Sequence, residues 1–260
     1  MRYNTDTRKL TLTATLAAVY VIFRAIPISK LIGISGTITA AGMIAPVIGI
    51  LLEPAYGIVA VFVGTLVASL FPWNPIKFAG LDFLPGALNV TLVSLAVRGR
   101  RMEATLMFLI MIALFIINPY TSLFVGTDLA SPPIPYLWMH LAALAVLVSP
   151  LTKNLSTKIA SHHYASVVRP IAVLAFAGTM VEHLTGGLLY ATVVGKAALK
   201  AWPVIFLAYP IERIILVVGA TLIGATLLSL LKTSLIERLL ETVKPEPTNM
   251  VRSKSVTEER

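Results

Sequence analysis

Residues 203–231 read PVIFLAYPIERIILVVGATLIGATLLSLL, and the only charges in the run are the adjacent Glu212 and Arg213. A continuous apolar stretch of 18 residues or more is a transmembrane-helix candidate, and about 20 residues cross the hydrocarbon at 1.5 Å each. This run is longer than a crossing needs, so its helix is expected to tilt or to extend past the bilayer. Seven further apolar segments precede it, at about 10–28, 36–52, 54–72, 82–98, 104–118, 134–150 and 167–194.

The composition agrees with that reading. Of the 260 residues 57% are hydrophobic and 13% charged, with a mean hydropathy of +0.86. A soluble domain carries about 25% charged residues. Too little polar material is present to coat a globule. Backbone in lipid must satisfy its own hydrogen bonds, so helices or a closed barrel remain. The runs are long and continuous rather than alternating over about ten residues, which favours helices. The expected fold is therefore all-α: a polytopic membrane helix bundle of about eight spans. Residues 1–243 form one transmembrane domain. Residues 244–260, which mix charges around Lys244-Pro-Glu-Pro247, form a mobile cytoplasmic tail.

Charge sets the expected topology. With the N-terminus in the cytoplasm, Arg2, Arg8 and Lys9, then Arg98, Arg100 and Arg101, then Lys153, Lys158 and Arg169, and every basic residue from Lys232 onward face inside. These are 15 of the 21 Lys and Arg residues. The 119–133 loop, placed outside, has none. Both termini are thus expected in the cytoplasm of a cell-membrane protein. The net charge of +9 reads as topology rather than as nucleic-acid binding. The absence of cysteine excludes disulfides, thiolate metal sites and a cysteine nucleophile.

Charges and polar groups inside the spans are the candidate site, because each costs at least about 2.5–3.5 kcal/mol to insert. Glu182 and His183 lie deep in the seventh run, flanked by Gly178, Gly186 and Gly187. Glu182 can accept hydrogen bonds from a heterocycle and His183 can donate or accept. The alternative is a polar pair satisfied by another helix. Glu212 suits the positive end of the last helix. Arg213 does not, and calls for a carboxylate such as Glu182 or for an anionic ligand group. Asn89 reads as ligand contact or helix glue. Asp82 reads as a helix N-cap or a site residue, and Trp73 as a ring for stacking or an interfacial anchor. Trp138 and His140 are assigned a structural role, and His162-His163 a solvated loop; no metal or cofactor is expected. Ala14 and Ala18, four apart on one face, offer a smooth surface to another helix.

Taken together, four motifs resemble the substrate-binding S component of an energy-coupling factor (ECF) transporter of vitamins and other micronutrients. They are Ala14-x-x-x-Ala18; the segment Ile44-Ala-Pro-Val-Ile-Gly-Ile-Leu-Leu-Glu-Pro-Ala-Tyr-Gly57 with Val63-Gly64; Leu81-Asp-Phe-Leu-Pro-Gly-Ala-Leu88 leading to Arg98-Gly-Arg-Arg101; and Ala175-x-x-Gly178 with Tyr209-Pro-Ile-Glu-Arg213. The family has six spans, so the resemblance implies a six-span core with an inserted helical pair at 104–150. It implies that Ala14 and Ala18 dock on a membrane coupling protein driven by two cytoplasmic ATPases. The chain has no phosphate-binding Gly-x-x-x-x-Gly-Lys loop of its own. The expected function is capture of a small-molecule substrate for such an importer. A stand-alone secondary carrier is the alternative. An intramembrane enzyme is disfavoured by the lack of a nucleophile elbow or metal-spaced ligands.

Overall fold

The computed structural model describes residues 2–30, 37–127, 130–160 and 164–231. The His162-His163 loop, the basic residues from Lys232 onward and the 244–260 tail lie outside these residues. Nine α-helices occur among the described residues: α1 (Arg2–Arg24), α2 (Ala41–Leu51), α3 (Pro54–Ser69), α4 (Leu84–Val97), α5 (Arg101–Ile117), α6 (Trp138–Val148), α7 (Leu155–Ile159), α8 (Tyr164–Val194) and α9 (Trp202–Leu230). Each of the eight apolar segments contains one of them; the short α7 is the addition. The protein is mostly helical, as expected.

Two antiparallel hairpins were not anticipated. β1 (Pro27–Lys30) pairs with β2 (Thr37–Thr39), and β3 (Phe124–Thr127) with β4 (Ala130–Pro135). Pro27 opens one hairpin and Pro132, Pro133 and Pro135 lie in β4 of the other, an edge strand, where proline is tolerated. The strands take up the beginnings of the apolar segments 36–52 and 134–150. Their helices, α2 and α6, are consequently only 11 residues each, shorter than the crossing length expected of them. By length and composition two helical stretches could cross a membrane, Tyr164–Lys200 and Trp202–Leu230.

The centre of the bundle is α2, with ten of its 11 residues buried. It packs chiefly on α4 and α9, while α4 packs in turn on α8, and α8 on α9. Close approach is achieved with glycine: a Cβ on Gly49 of α2 would lie 2.7 Å from the carbonyl oxygen of Val90 in α4. Only Glu53 and Pro54 separate the second and third apolar segments, a spacing that suggests a tight helical hairpin, but α2 and α3 take a different form. The chain reverses at Leu52-Glu53, where Pro54 starts α3 and Lys9 of α1 lies 2.7 Å from Glu53. The two helices then diverge, and α3 packs on α1 and α4. The reason is that α2 is enclosed on all sides, whereas α3 has an apolar outer face.

A helix of 11 residues buried among other helices has no water for its terminal backbone groups. At the C-terminal end, Ser94 Oγ donates to the Leu52 carbonyl at 2.7 Å and Arg98 Nη1 to the Gly49 carbonyl at 3.0 Å. At the N-terminal end, no residue of α2's own first turn is acidic. The carboxylate of Glu182 from α8 lies there instead, 3.3 Å from where a Cβ on Gly42 would stand. An anion at the start and a cation at the end both complement the helix dipole.

Helices α5 and α6 are part of this packing rather than an appendage. α5 packs on α4 and α8, and α6 on α8. Arg98→Met removes the buried donor from the end of α2 and is expected to lower unfolding free energy by about 2 kcal/mol. Arg100→Ala, at an exposed ion pair with Glu103, is expected to change it by less than about 0.5 kcal/mol. Equilibrium unfolding of the two variants in one detergent checks the difference.

Candidate functional site

One end of the bundle holds a cavity of about 160 Å³. Chain direction explains what gathers there. The C-terminal end of α1 brings Tyr20 and Arg24, and the β1–β2 hairpin brings Lys30 and Thr37–Thr39. The 70–83 loop brings Lys77, Phe78 and Asp82, and the middle of α8 brings Glu182, His183, Gly186 and Gly187. The first half of α9 brings Trp202, Glu212 and Arg213, and Tyr136 reaches in from beyond β4.

Five of the seven residues singled out for substrate contact line this cavity: Asp82, Glu182, His183, Glu212 and Arg213. Asn89 stands behind it, fully buried, and donates Nδ2 to Glu182 Oε2 at 2.6 Å. Gly178 makes the room, since a Cβ there would run into the Asn89 side chain. Trp73 is not a lining residue. It is 43% exposed and stacks on Phe71 with centroids 5.1 Å apart. Asp82 is committed to its own loop, accepting the backbone N–H groups of Lys77 and Phe78 at 2.9 and 3.0 Å. Glu212 accepts from Ser29 of β1 and faces Arg213 at 3.9 Å. Arg213 also donates Nη1 to the Thr179 carbonyl at 3.4 Å, while its Nε has no partner.

No known protein family matches the chain, and no curated protein or solved structure matches it either. The site's meaning therefore rests on its own geometry.

Sequence reasoning passed over several lining groups. Arg24, Lys30 and Lys77 lie at the ends of apolar segments, where a basic residue is ordinary. Arg24 is nevertheless 8% exposed, and it donates Nη1 to Thr65 Oγ1 at 3.4 Å and Nη2 to Asn74 Oδ1 at 3.3 Å. Lys77 donates to the same Asn74 oxygen at 3.2 Å and to the Thr37 carbonyl at 3.2 Å. His140, assigned a structural role, is fully buried, with Nε2 3.1 Å from His183 Nδ1. The His183 ring also stacks on Tyr209 at 4.7 Å. Tyr136 lies against Trp202 with centroids 5.0 Å apart and edge-to-face geometry. From the 104–150 region, Tyr136 thus contributes to the cavity lining. Among the described residues, no group of three or more His, Asp and Glu could hold a metal ion.

Lys77 is the titratable group of most interest outside the long helices. Burial, with a further contribution from Arg24, lowers its pKa to about 8, and Asp82 opposes the shift. The neutral amine is the nucleophile, so a lowered pKa moves acylation to lower pH. The rate of Lys77 acylation, followed by peptide mass spectrometry, is expected to rise through a midpoint near pH 8. Arg24→Gln removes a neighbouring charge and is expected to move that midpoint upward.

Proposed function

We propose that this chain is the substrate-capture membrane subunit of an ATP-driven importer of the energy-coupling factor type, taking up a small micronutrient. The observation that carries the proposal is a charge-bearing, aromatic-walled cavity inside a bundle whose exterior is apolar. On α3, Val59, Phe62 and Leu66 are exposed; on α5, Leu106, Leu109 and Ile110; on α9, Leu207, Ile211, Ile214, Val218 and Leu222. Contiguous apolar surface on this scale marks a membrane or partner surface, and three helices around the bundle carry it. Under this proposal the bundle is multi-pass, with both termini in the cytoplasm. The 11-residue α2 and α6 then lie within the bundle, extended by strand and loop buried in protein or lining the cavity, as irregular backbone at membrane depth requires.

Under the orientation read from the basic loops, the cavity faces outward. With the start of α1 inside, its C-terminal end and Arg24 lie outside, together with the start of α4 and the start of α9. Arg98, Arg100, Arg101 and Lys153 lie at the other end. A high-affinity capture subunit needs its site on that outer side. Ala14 and Ala18 are both exposed on α1, with Thr11 and Thr15 beside them. An exposed small-residue face of this kind supports docking on a membrane coupling protein, which with two cytoplasmic ATPases supplies the energy.

The tagged protein is to be purified in mild detergent from its native membrane and its companions identified by mass spectrometry. Recovery of a membrane protein together with two ATPases is expected, along with a retained small molecule. A partner-free protein that transports in vesicles without ATPase would instead establish the secondary carrier. Ala14→Phe is expected to reduce partner recovery at least about tenfold, roughly 1.4 kcal/mol, while leaving the retained molecule in place. Glu182→Ala and Arg213→Ala are expected to show the reverse. Unchanged ligand retention in both would remove the site from this cavity.

A further inference from the structure

Two cations in the cavity hydrogen-bond only to neutral acceptors. Arg24 and Lys77 converge on one amide oxygen, Asn74 Oδ1, and their other acceptors are the Thr65 hydroxyl and the Thr37 carbonyl. Among the described residues no carboxylate lies within ion-pair distance of either. The nearest acidic residue in sequence, Asp82, spends both oxygens on backbone N–H groups. Arg24 is more than nine-tenths buried, and its Nε has no partner. Asn74 is itself buried, and its Nδ2 also lacks one.

Two like charges gathered on one neutral dipole, with Arg24 buried and Lys77 half-buried, repel each other and leave donors unused. An oxyanion between them reverses both penalties. It accepts charge-assisted hydrogen bonds from the guanidinium and the ammonium, roughly twice as strong as neutral ones. The rest of the lining is different in kind. Tyr136, Tyr190 and Trp202 supply aromatic surface and Gly186 borders open space, a lining suited to a flat ring.

We infer that the substrate of this site is a small organic anion, whose carboxylate or phosphate group sits between Arg24 and Lys77 and whose body lies against Tyr136 and Trp202. The inference rests on the capture reading for the word substrate, but the anion site is a property of the chain alone. Glu182 and Glu212 repel such an anion from the α8–α9 side, which fixes the direction in which it lies. Lys77 also joins the loop to β2 through the Thr37 carbonyl, so an anion there adjoins both.

The full-length protein, in neutral detergent and free of phospholipid, is to be treated with acetic anhydride near pH 8, and acetylation of Lys77 followed by mass spectrometry. Benzoate, inorganic phosphate and benzamide serve as probes. Exposed Lys153 in the same sample reports on reagent and general accessibility. Saturating benzoate is expected to slow Lys77 acetylation at least about fivefold, with benzamide and the Lys153 rate showing no effect. Slowing by phosphate as well assigns the site to oxyanions in general, and slowing by phosphate alone to phosphate compounds; either supports the inference. Arg24→Gln is expected to abolish the protection, and Arg24→Lys to retain part of it. Equal slowing by benzamide, or no slowing by either anion, overturns the inference. Neither result bears on recovery of a coupling protein and ATPases, so failure here is distinguishable from failure of the capture reading.

Discussion

A short helix sealed inside other helices is the constraint from which the rest of this structure follows. At 11 residues, α2 is about 16 Å long, and both of its ends finish within the protein. Unpaired backbone groups there would be costly. The Glu182 carboxylate stands at one end, and Arg98 with Ser94 at the other. These contacts fix α8 against the start of α2 and α4 against its finish. Because Asn89 of α4 also holds Glu182, the same carboxylate joins three helices. The cavity lies where they meet, so the groups that hold the bundle together also line its site.

This double role explains why the site is rich in charge yet internally tied. Glu182 belongs to Asn89 and the start of α2, Glu212 to Ser29 and Arg213, and Asp82 to its loop. The acidic residues are therefore spoken for by the fold. On the cationic side, Arg213 has a carboxylate nearby, and Arg24 and Lys77 have only neutral oxygens. The imbalance is local rather than a matter of net charge, and it gives the cavity a polarity along its length.

Much of the helical layout was legible because long apolar runs admit little else, and all eight segments contain a helix. The hairpins were not, because β1–β2 and β3–β4 are a few residues each, and such short runs carry no period that separates strand from loop. Glu182 and Arg213 stood out because a charge in the middle of an apolar run always needs a reason. Arg24 and Lys77 did not, since a basic residue at the end of a run already has one in the interface. Tyr136 and His140 were concealed by a different effect: helices outside the motifs read as peripheral until their packing on α8 is seen. Trp73 attracted notice as an aromatic in a loop, but the face of that loop turned toward the cavity is formed by Lys77 and Phe78.

The three tryptophans of this chain are placed very unequally. Trp73 and Trp138 are 43% and 45% exposed, whereas Trp202 is 1% exposed, donates Nε1 to the Tyr120 carbonyl at 2.9 Å and borders the cavity. Indole emission shifts with the polarity around the ring. The molecule thus carries an intrinsic optical reporter at its cavity wall, in surroundings unlike those of its two outer tryptophans. Filling or emptying of that space is written into the protein's own fluorescence, with no label attached.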